Sequence, residues 1–411
     1  MSELDDQLHR LSEHRAEMVP PYSPPVGRTH QRGDRRAAVG AIAAALVVAI
    51  AIGALWFWSE DDSRSVYVET QTTSLERERL VLGPPRPLPV DAQFSLVAVN
   101  GELWFAANGG GLVGYDTVTG VTRHVDPSPL AEHYAPSSPF FAPGQVVAQG
   151  TTLWVADGGG VQVDGYPDGP SYERWGGVVR VNAISGRIET VVSMPDGSPT
   201  QIALSGSTLW AVNGRVLMGI ETLTNTIIRA LPFGEGNSYK GFVVDGTSAW
   251  LGDYATGAII KLDLVTGDIL SEFSLPGDTR SGIRADALNF PIASTGGGLV
   301  VVSGGRMLGQ PYALRLVDKA TGAVRATLLL DGDFWDAVAT GRSLVVITGA
   351  GIALLDLDSF EWRDRIALPG PRVMRFLALD GDHLWLTNRP YATFDHPEAN
   401  TASTFQRVGF G

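Results

Sequence analysis

The chain of 411 residues contains no cysteine. That absence excludes disulfides, thiolate metal sites and cysteine nucleophiles together. A domain outside the cytoplasm must then hold together on buried apolar area alone, which about 350 residues of stacked sheet can supply. Histidine is scarce too. Of the 7 in the chain, His124, His133, His383 and His396 lie beyond the N-terminal region, and none has the short spacing of a metal ligand pair. Gly-x-Ser-x-Gly, His-Glu-x-x-His and P-loop runs are missing. Gly triplets at 109–111, 158–160 and 296–298 open no helical pattern. They read as hairpins and close strand approaches rather than phosphate loops. No catalytic, cofactor-binding or metal-ligating residue is assigned, and no cofactor is expected.

Excess positive charge is also absent. The net charge is −13, while the first 36 residues carry equal numbers of Arg and acidic residues. The acidic excess therefore lies downstream, which suits a soluble surface and excludes a nucleic-acid partner. Frequent Ala, Gly, Val and Arg fit a GC-rich bacterial coding sequence.

One long uncharged run is present. Residues 37–58, AAVGAIAAALVVAIAIGALWFW, are long enough to cross a bilayer as a helix. Arg32, Arg35 and Arg36 precede the run, and Glu60, Asp61 and Asp62 follow it. The positive-inside rule then puts residues 1–36 in the cytoplasm and everything after 58 outside, with Trp56, Phe57 and Trp58 at the outer interface. A cleaved signal peptide fits less well, since the leader is long and no small-residue cleavage site follows the run. The run is read as an uncleaved transmembrane helix that anchors the chain in the cell membrane. In the tail, Leu4, Leu8 and Leu11 share one helical face, which is either a docking helix for a cytoplasmic partner or a marginal isolated helix. The following PPYSPP is read as a spacer. Residues 59–73 are a juxtamembrane linker, and 74–411 form the extracytoplasmic domain.

Within that domain a short phrase recurs. It reads GELWFAANG from Gly101, GTTLWVADG from Gly150, GSTLWAVNG from Gly206, GTSAWLGD from Gly246, GGLVVVSG from Gly297, GRSLVVITG from Gly341 and GDHLWLTN from Gly381. The large apolar residue falls at Trp104, Trp154, Trp210, Trp250, Val300, Val345 and Trp385, at spacings of 50, 56, 40, 50, 45 and 40 residues. Periods of this length with strand-like units indicate a propeller. Around each phrase lie four strand patterns. The third ends in VGYDTVTG, IIKLDLVTG or LRLVDKATG, whose Thr-Gly makes a tight turn into the fourth, with Gly supplying the positive φ. The fold class is all-β, a seven-bladed β-propeller of four strands per blade. The seventh unit runs out after STFQRVGF at 403–410, one strand short. SLERERLVLGPP at 74–85 matches the fourth-strand segment SFEWRDRIALPGP at 359–371. Residues 76–82 are therefore expected to close the ring in blade seven.

The Asp-x-x-Thr-Gly and Gly-x-x-Leu-Trp-Val phrases resemble the YVTN and quinoprotein-like propeller repeats, and the latter also the virginiamycin B lyase-like propellers, over residues 74–411. The resemblance implies fold more than activity. Two departures stand out. Quinoprotein dehydrogenases of this kind usually have eight blades, with Trp at each blade end, whereas here there are seven and Trp lies in the second strand. The lyases use His and Glu near the axis, and no matching set is found, so no catalytic residue carries over.

Candidate sites come from position in the repeat. Asn108, Asp157, Asn213, Asp253, Ser303, Thr348 and Asn388 follow the second strands. Seven oxygen-bearing side chains around an axis could form a cation site. Five of them precede Gly, however, and hairpin turns are the reading adopted. Long connections at 126–144, 158–176, 276–290 and 388–402 all join second to third strands or blade to blade, and so leave one face of the disc. Such loops on a rigid scaffold tend to carry function. They hold His133, Tyr134, Tyr166, Asp168, Tyr172, Arg174, Trp175, Arg280, Arg284, Asp286, Tyr391 and His396, while shorter connections add Trp335 and Arg375. Tyr, Trp and Arg are the types enriched at binding hot spots. The alternative is that these loops fold over and plug the axis. The preferred function is a non-catalytic binding module for an extracytoplasmic protein or glycan, with the long-loop face pointing away from the membrane. The alternative is an extracytoplasmic lyase or hydrolase with an axial metal.

Overall fold

The recurring phrase is the second strand of seven four-stranded antiparallel sheets. A computed structural model describes residues 80–88, 92–107, 111–132, 143–158, 160–163, 171–174, 176–194, 199–214, 216–233, 239–253, 256–275, 289–305, 310–368, 373–380, 383–390 and 403–410. All lie in one unit, Ser63–Gly411. The expected transmembrane helix and cytoplasmic tail lie outside the described residues. Among the described residues, no helix is long and apolar enough to cross a membrane.

In blades one to six each sheet is a meander whose inner strand is first in sequence. The inner strands are Ala92–Val99, Pro143–Gln149, Gln201–Ser205, Tyr239–Asp245, Phe290–Thr295, Phe334–Thr340 and Val373–Asp380. Blade seven takes its inner three strands from the C-terminal end of the chain and its outer strand from Leu80–Leu82, which pairs antiparallel with Val408–Phe410. Ring closure by an N-terminal strand is thus as expected. The strand is described from Leu80 onward, and Arg86–Pro87 continues the pairing against Thr404 and Phe405.

The core lies between blades rather than at a centre. Seven apolar layers each join two successive blades, and the last, with Leu96 and Phe105 of blade one against Ala378, Trp385 and Phe405 of blade seven, completes the circle. Second strands sit in the middle of these layers, so their side chains are buried on both faces. That explains why they read as continuous apolar runs. Each Trp of the phrase is buried, and its size is accommodated by the residue opposite on the third strand. Gly114 faces Trp104 and Gly219 faces Trp210. Arg180 lies over Trp154 at 5.5 Å and Lys261 over Trp250 at 5.2 Å from the ring centroids, a favourable cation–π placement.

Gly114 illustrates how tight this is. A Cβ there would lie 2.7 Å from Cζ2 of Trp104. Gly114→Val is expected to cost about 1–3 kcal/mol by overpacking, read as a lower melting temperature. An unchanged melting curve would mean that the Trp104 ring has room to move.

The Asp-x-x-Thr-Gly phrase closes the third-to-fourth turn by side-chain capping. Asp116 accepts from the N–H groups of Val118 and Thr119 at 2.8 and 2.9 Å, and Asp263, Asp318 and Asp356 repeat the pattern. Asn182 does the same in blade two. These N–H bonds hold the Asp116 and Asp263 carboxyls below the usual carboxylate range and Asp318 at about 2.

Candidate functional site

By the connectivity of the sheets, first-to-second and third-to-fourth turns lie on one face of the disc, and the other connections leave from the opposite face. On that second face the 158–176 insertion contains an antiparallel ribbon, Gly160–Val163 against Ser171–Arg174. A 3-10 turn at Ser128–Glu132 starts the connection from blade one to blade two and buries Leu130 between them. Tyr172 and Arg174 lie on the ribbon. His133, Tyr134, Tyr166, Asp168, Trp175, Arg280, Arg284, Asp286, Tyr391 and His396 lie outside the described residues. Trp335 and Arg375 are the remaining two, and both are strand residues: Trp335 on the inner strand of blade six, Arg375 on that of blade seven.

The inner strands line the axis, and one position on them recurs. Two residues before the partner of the large second-strand side chain stand Ser95, Gln145, Gln201, Gly241, Pro291, Asp336 and Phe376. At three of these positions the side chain bonds the next blade, while the Gln201 amide oxygen is enclosed with no donor among the described residues. The Ser95 hydroxyl accepts from Val146 N–H at 3.0 Å, the Gln145 amide oxygen from Ile202 N–H at 2.8 Å, and the Asp336 carboxylate from Leu377 N–H at 2.8 Å. At Gly241 the inner strands approach so closely that a Cβ would lie 2.5 Å from the Pro291 carbonyl oxygen. Irregularities in pairing free Ser95, Gln145 and Gly241 from their own ladder, whereas Asp336 stays paired with Ile347 and the irregularity beside it skips Trp335.

Asp336 is the ionisable member of this ring. Its residue is partly open to the axis, but its carboxylate is packed among protein atoms. Burial pushes its pKa up to about 6, against the pull of N–H bonds from Leu377 and Ala337. Trp335, beside it, packs in the layer between blades six and seven, and its indole N–H is enclosed with no acceptor among the described residues.

A second polar level lies at the long-loop ends of the second strands. Asp157, Asn213, Asp253, Ser303 and Thr348 are buried there. Two behave as turn residues: Thr348 Oγ1 accepts from Ala350 and Gly351 N–H, and Asp253 accepts from the Thr256 hydroxyl. Neighbouring blades are pinned at this level. Asn289 of blade five donates to the Gly257 carbonyl of blade four at 2.8 Å. Arg375 of blade seven donates to the Thr348 and Gly349 carbonyls of blade six at 2.9 and 3.0 Å, and to Asn388 Oδ1 at 3.2 Å. Arg375 is fully buried, and burial lowers its pKa. The structure thus brings Trp335 and Arg375 to one seam, between blades six and seven, and adds Asp336, which the sequence did not single out. Among the described residues, no three His, Asp or Glu side chains are grouped as metal ligands.

No protein-family model matches this chain. No curated protein matches it either. Among solved structures, 1257 chains match, a breadth that marks a common scaffold. One is a chain of the crystal structure of a mitotic checkpoint complex, similar over 80% of this chain and 94% of its own, with 12% identity and a TM-score of 0.54. At that identity the likeness establishes the propeller fold alone.

Proposed function

We propose that this protein is a membrane-anchored propeller that binds a partner protein outside the cytoplasm through its long-loop face. One observation carries the reading: the long insertions leave a single face of the disc, while the turns of the other face stay short. Loops held by a rigid scaffold are where binding residues concentrate. The anchor is supported by the uncharged run 37–58 with Arg on its N-terminal side and Glu and Asp on its C-terminal side. The chain similar by fold comes from the structure of a mitotic checkpoint complex; assembly with other proteins is a common use of such scaffolds.

The test uses full-length protein extracted from membranes after cross-linking. Wild type is expected to retain one or more envelope proteins. Trp175→Ala, in the 158–176 insertion, is expected to weaken capture about ten-fold or more, the size of an aromatic hot spot. Equal capture by wild type and Trp175→Ala would remove this residue as the anchor. Equal capture by a chain lacking 160–174 as well would remove the long-loop face.

A further inference from the structure

The face opposite the long loops carries an unforced pattern. In the third-to-fourth turns the capping side chain needs only the N–H of the residue two positions on, and any side chain can stand there. Blades five and six place Ala320 and Asp358 at that position. Blades one to four place Val118, Ile184, Leu223 and Val265. These four are 88%, 64%, 83% and 53% exposed. Ile227, Ile228, Ile269 and Leu270, exposed at the starts of the following fourth strands, extend the arc in blades three and four. Single exposed apolar residues are ordinary. Here, among the described residues, nearly every large apolar side chain left in solvent falls on one arc of one face, Val121 of blade one included, and Val81 and Leu329 are the exceptions.

The same face is where the chain enters. Leu80 pairs with Phe410, at the turn end of the third strand of blade seven. The uncharged run ends at Trp58, and residues 59–79 join it to that strand.

We propose that the apolar turn tips of blades one to four dip into the outer interface of the lipid bilayer. This rests on the membrane-anchor reading above. Lipid suits the tips better than a protein surface does. They stand on separate hairpins, each beside an exposed hydroxyl residue such as Thr119, Ser185, Thr224 or Thr266. The interfacial zone of a bilayer takes separate amphipathic prongs of this kind. Asp116 and Asp263 are engaged with N–H groups of their own turns, Asn182 caps blade two without a charge, and Arg187 and Arg229 are exposed beside the tips, as is Asp268; the two arginines favour anionic headgroups.

The absence of cysteine allows single-site labelling. Full-length protein carrying an environment-sensitive fluorophore at Thr224→Cys is placed in vesicles of phosphatidylcholine and phosphatidylglycerol. A second protein carries the label at Ser359→Cys, in the equivalent turn of blade six. Both are expected to float with the vesicles. A lipid-borne quencher is expected to dim the 224 label several-fold more than the 359 label, and Leu223→Asp, a change that blade six tolerates as Asp358, to remove most of that difference. Flotation with equal quenching at the two sites overturns the proposal and leaves the anchor reading standing. Failure to float overturns both. Shielding of the 224 label from an aqueous quencher without lipid quenching, or energy transfer between two labelled copies, overturns it in favour of a protein occupant.

Discussion

Removing residues 74–85 is expected to abolish the cooperative unfolding of the propeller. Leu80 is buried in the layer between blades six and seven, with Ile352, Leu354, Val408 and Phe410. Its N–H donates to the Asp364 carboxylate on the outer strand of blade six at 2.6 Å, and Gly83 N–H donates to the Arg407 carbonyl at 2.8 Å. The deletion removes the Leu80–Leu82 ladder, bares the Thr404–Phe410 strand as an open edge, and breaks a bond across the seam. Burial of Leu80 contributes about 1.5–3 kcal/mol. With the ladder and the seam, the loss approaches the 5–15 kcal/mol that holds a typical domain folded. A control lacking only 74–79 keeps the strand and is expected to melt as wild type does. A cooperative, unshifted transition in the longer deletion would show that closure is dispensable.

The second large effect is a pH dependence centred on Asp336. Its ordinary pKa of 3.8 rises to about 6 in the folded protein. The folded state therefore holds this proton more tightly than the unfolded chain does. The contribution is fully present below the unfolded value and is lost as pH rises through about 6, by about 3 kcal/mol in total at 1.36 kcal/mol per unit. Asp116, Asp263 and Asp318 act in the opposite sense. Their carboxyls are held low, so their contribution is lost as pH falls below 3.8 toward their folded values. The windows do not overlap, which isolates Asp336 between pH 4 and 6. Denaturant midpoints measured across that range are expected to fall with rising pH in wild type. Asp336→Asn is expected to flatten the slope. Equal slopes in the two proteins would assign the pH dependence to other groups.

Much of the architecture was legible in the sequence because it repeats. Trp104, Trp154, Trp210 and Trp250 occupy one environment, a second strand buried on both sides, so the same phrase serves four blades. The capped turn is equally local, needing only an Asp or Asn and two N–H groups within three residues. Closure was legible because Ser74–Leu82 copies the fourth-strand grammar of blade six. The axial code of Ser95, Gln145 and Asp336 was not. Each side chain bonds a residue 41 to 57 positions away, from a strand whose pairing irregularity leaves no mark in composition. Arg375 shows the same difficulty. An arginine between Pro371 and an apolar strand reads as a surface loop residue. Its acceptors are carbonyls of the neighbouring blade, and these lie in blade six, 26 and 27 residues upstream. The apolar turn tips were visible in the sequence, but their shared arc becomes evident only once the blades are placed around the ring.

On the proposed function and the inference drawn from the turn tips, the two faces of this disc meet different surroundings, a partner protein at the long loops and lipid at the apolar tips. Site-specific photo-crosslinking in intact membranes tests it most directly. A photoreactive residue at Asp168, in the 158–176 insertion, is compared with one at Thr224, in the third-to-fourth turn of blade three. Protein adducts are expected from position 168 and lipid adducts from position 224. Protein adducts from 224 with none from 168 would contradict it.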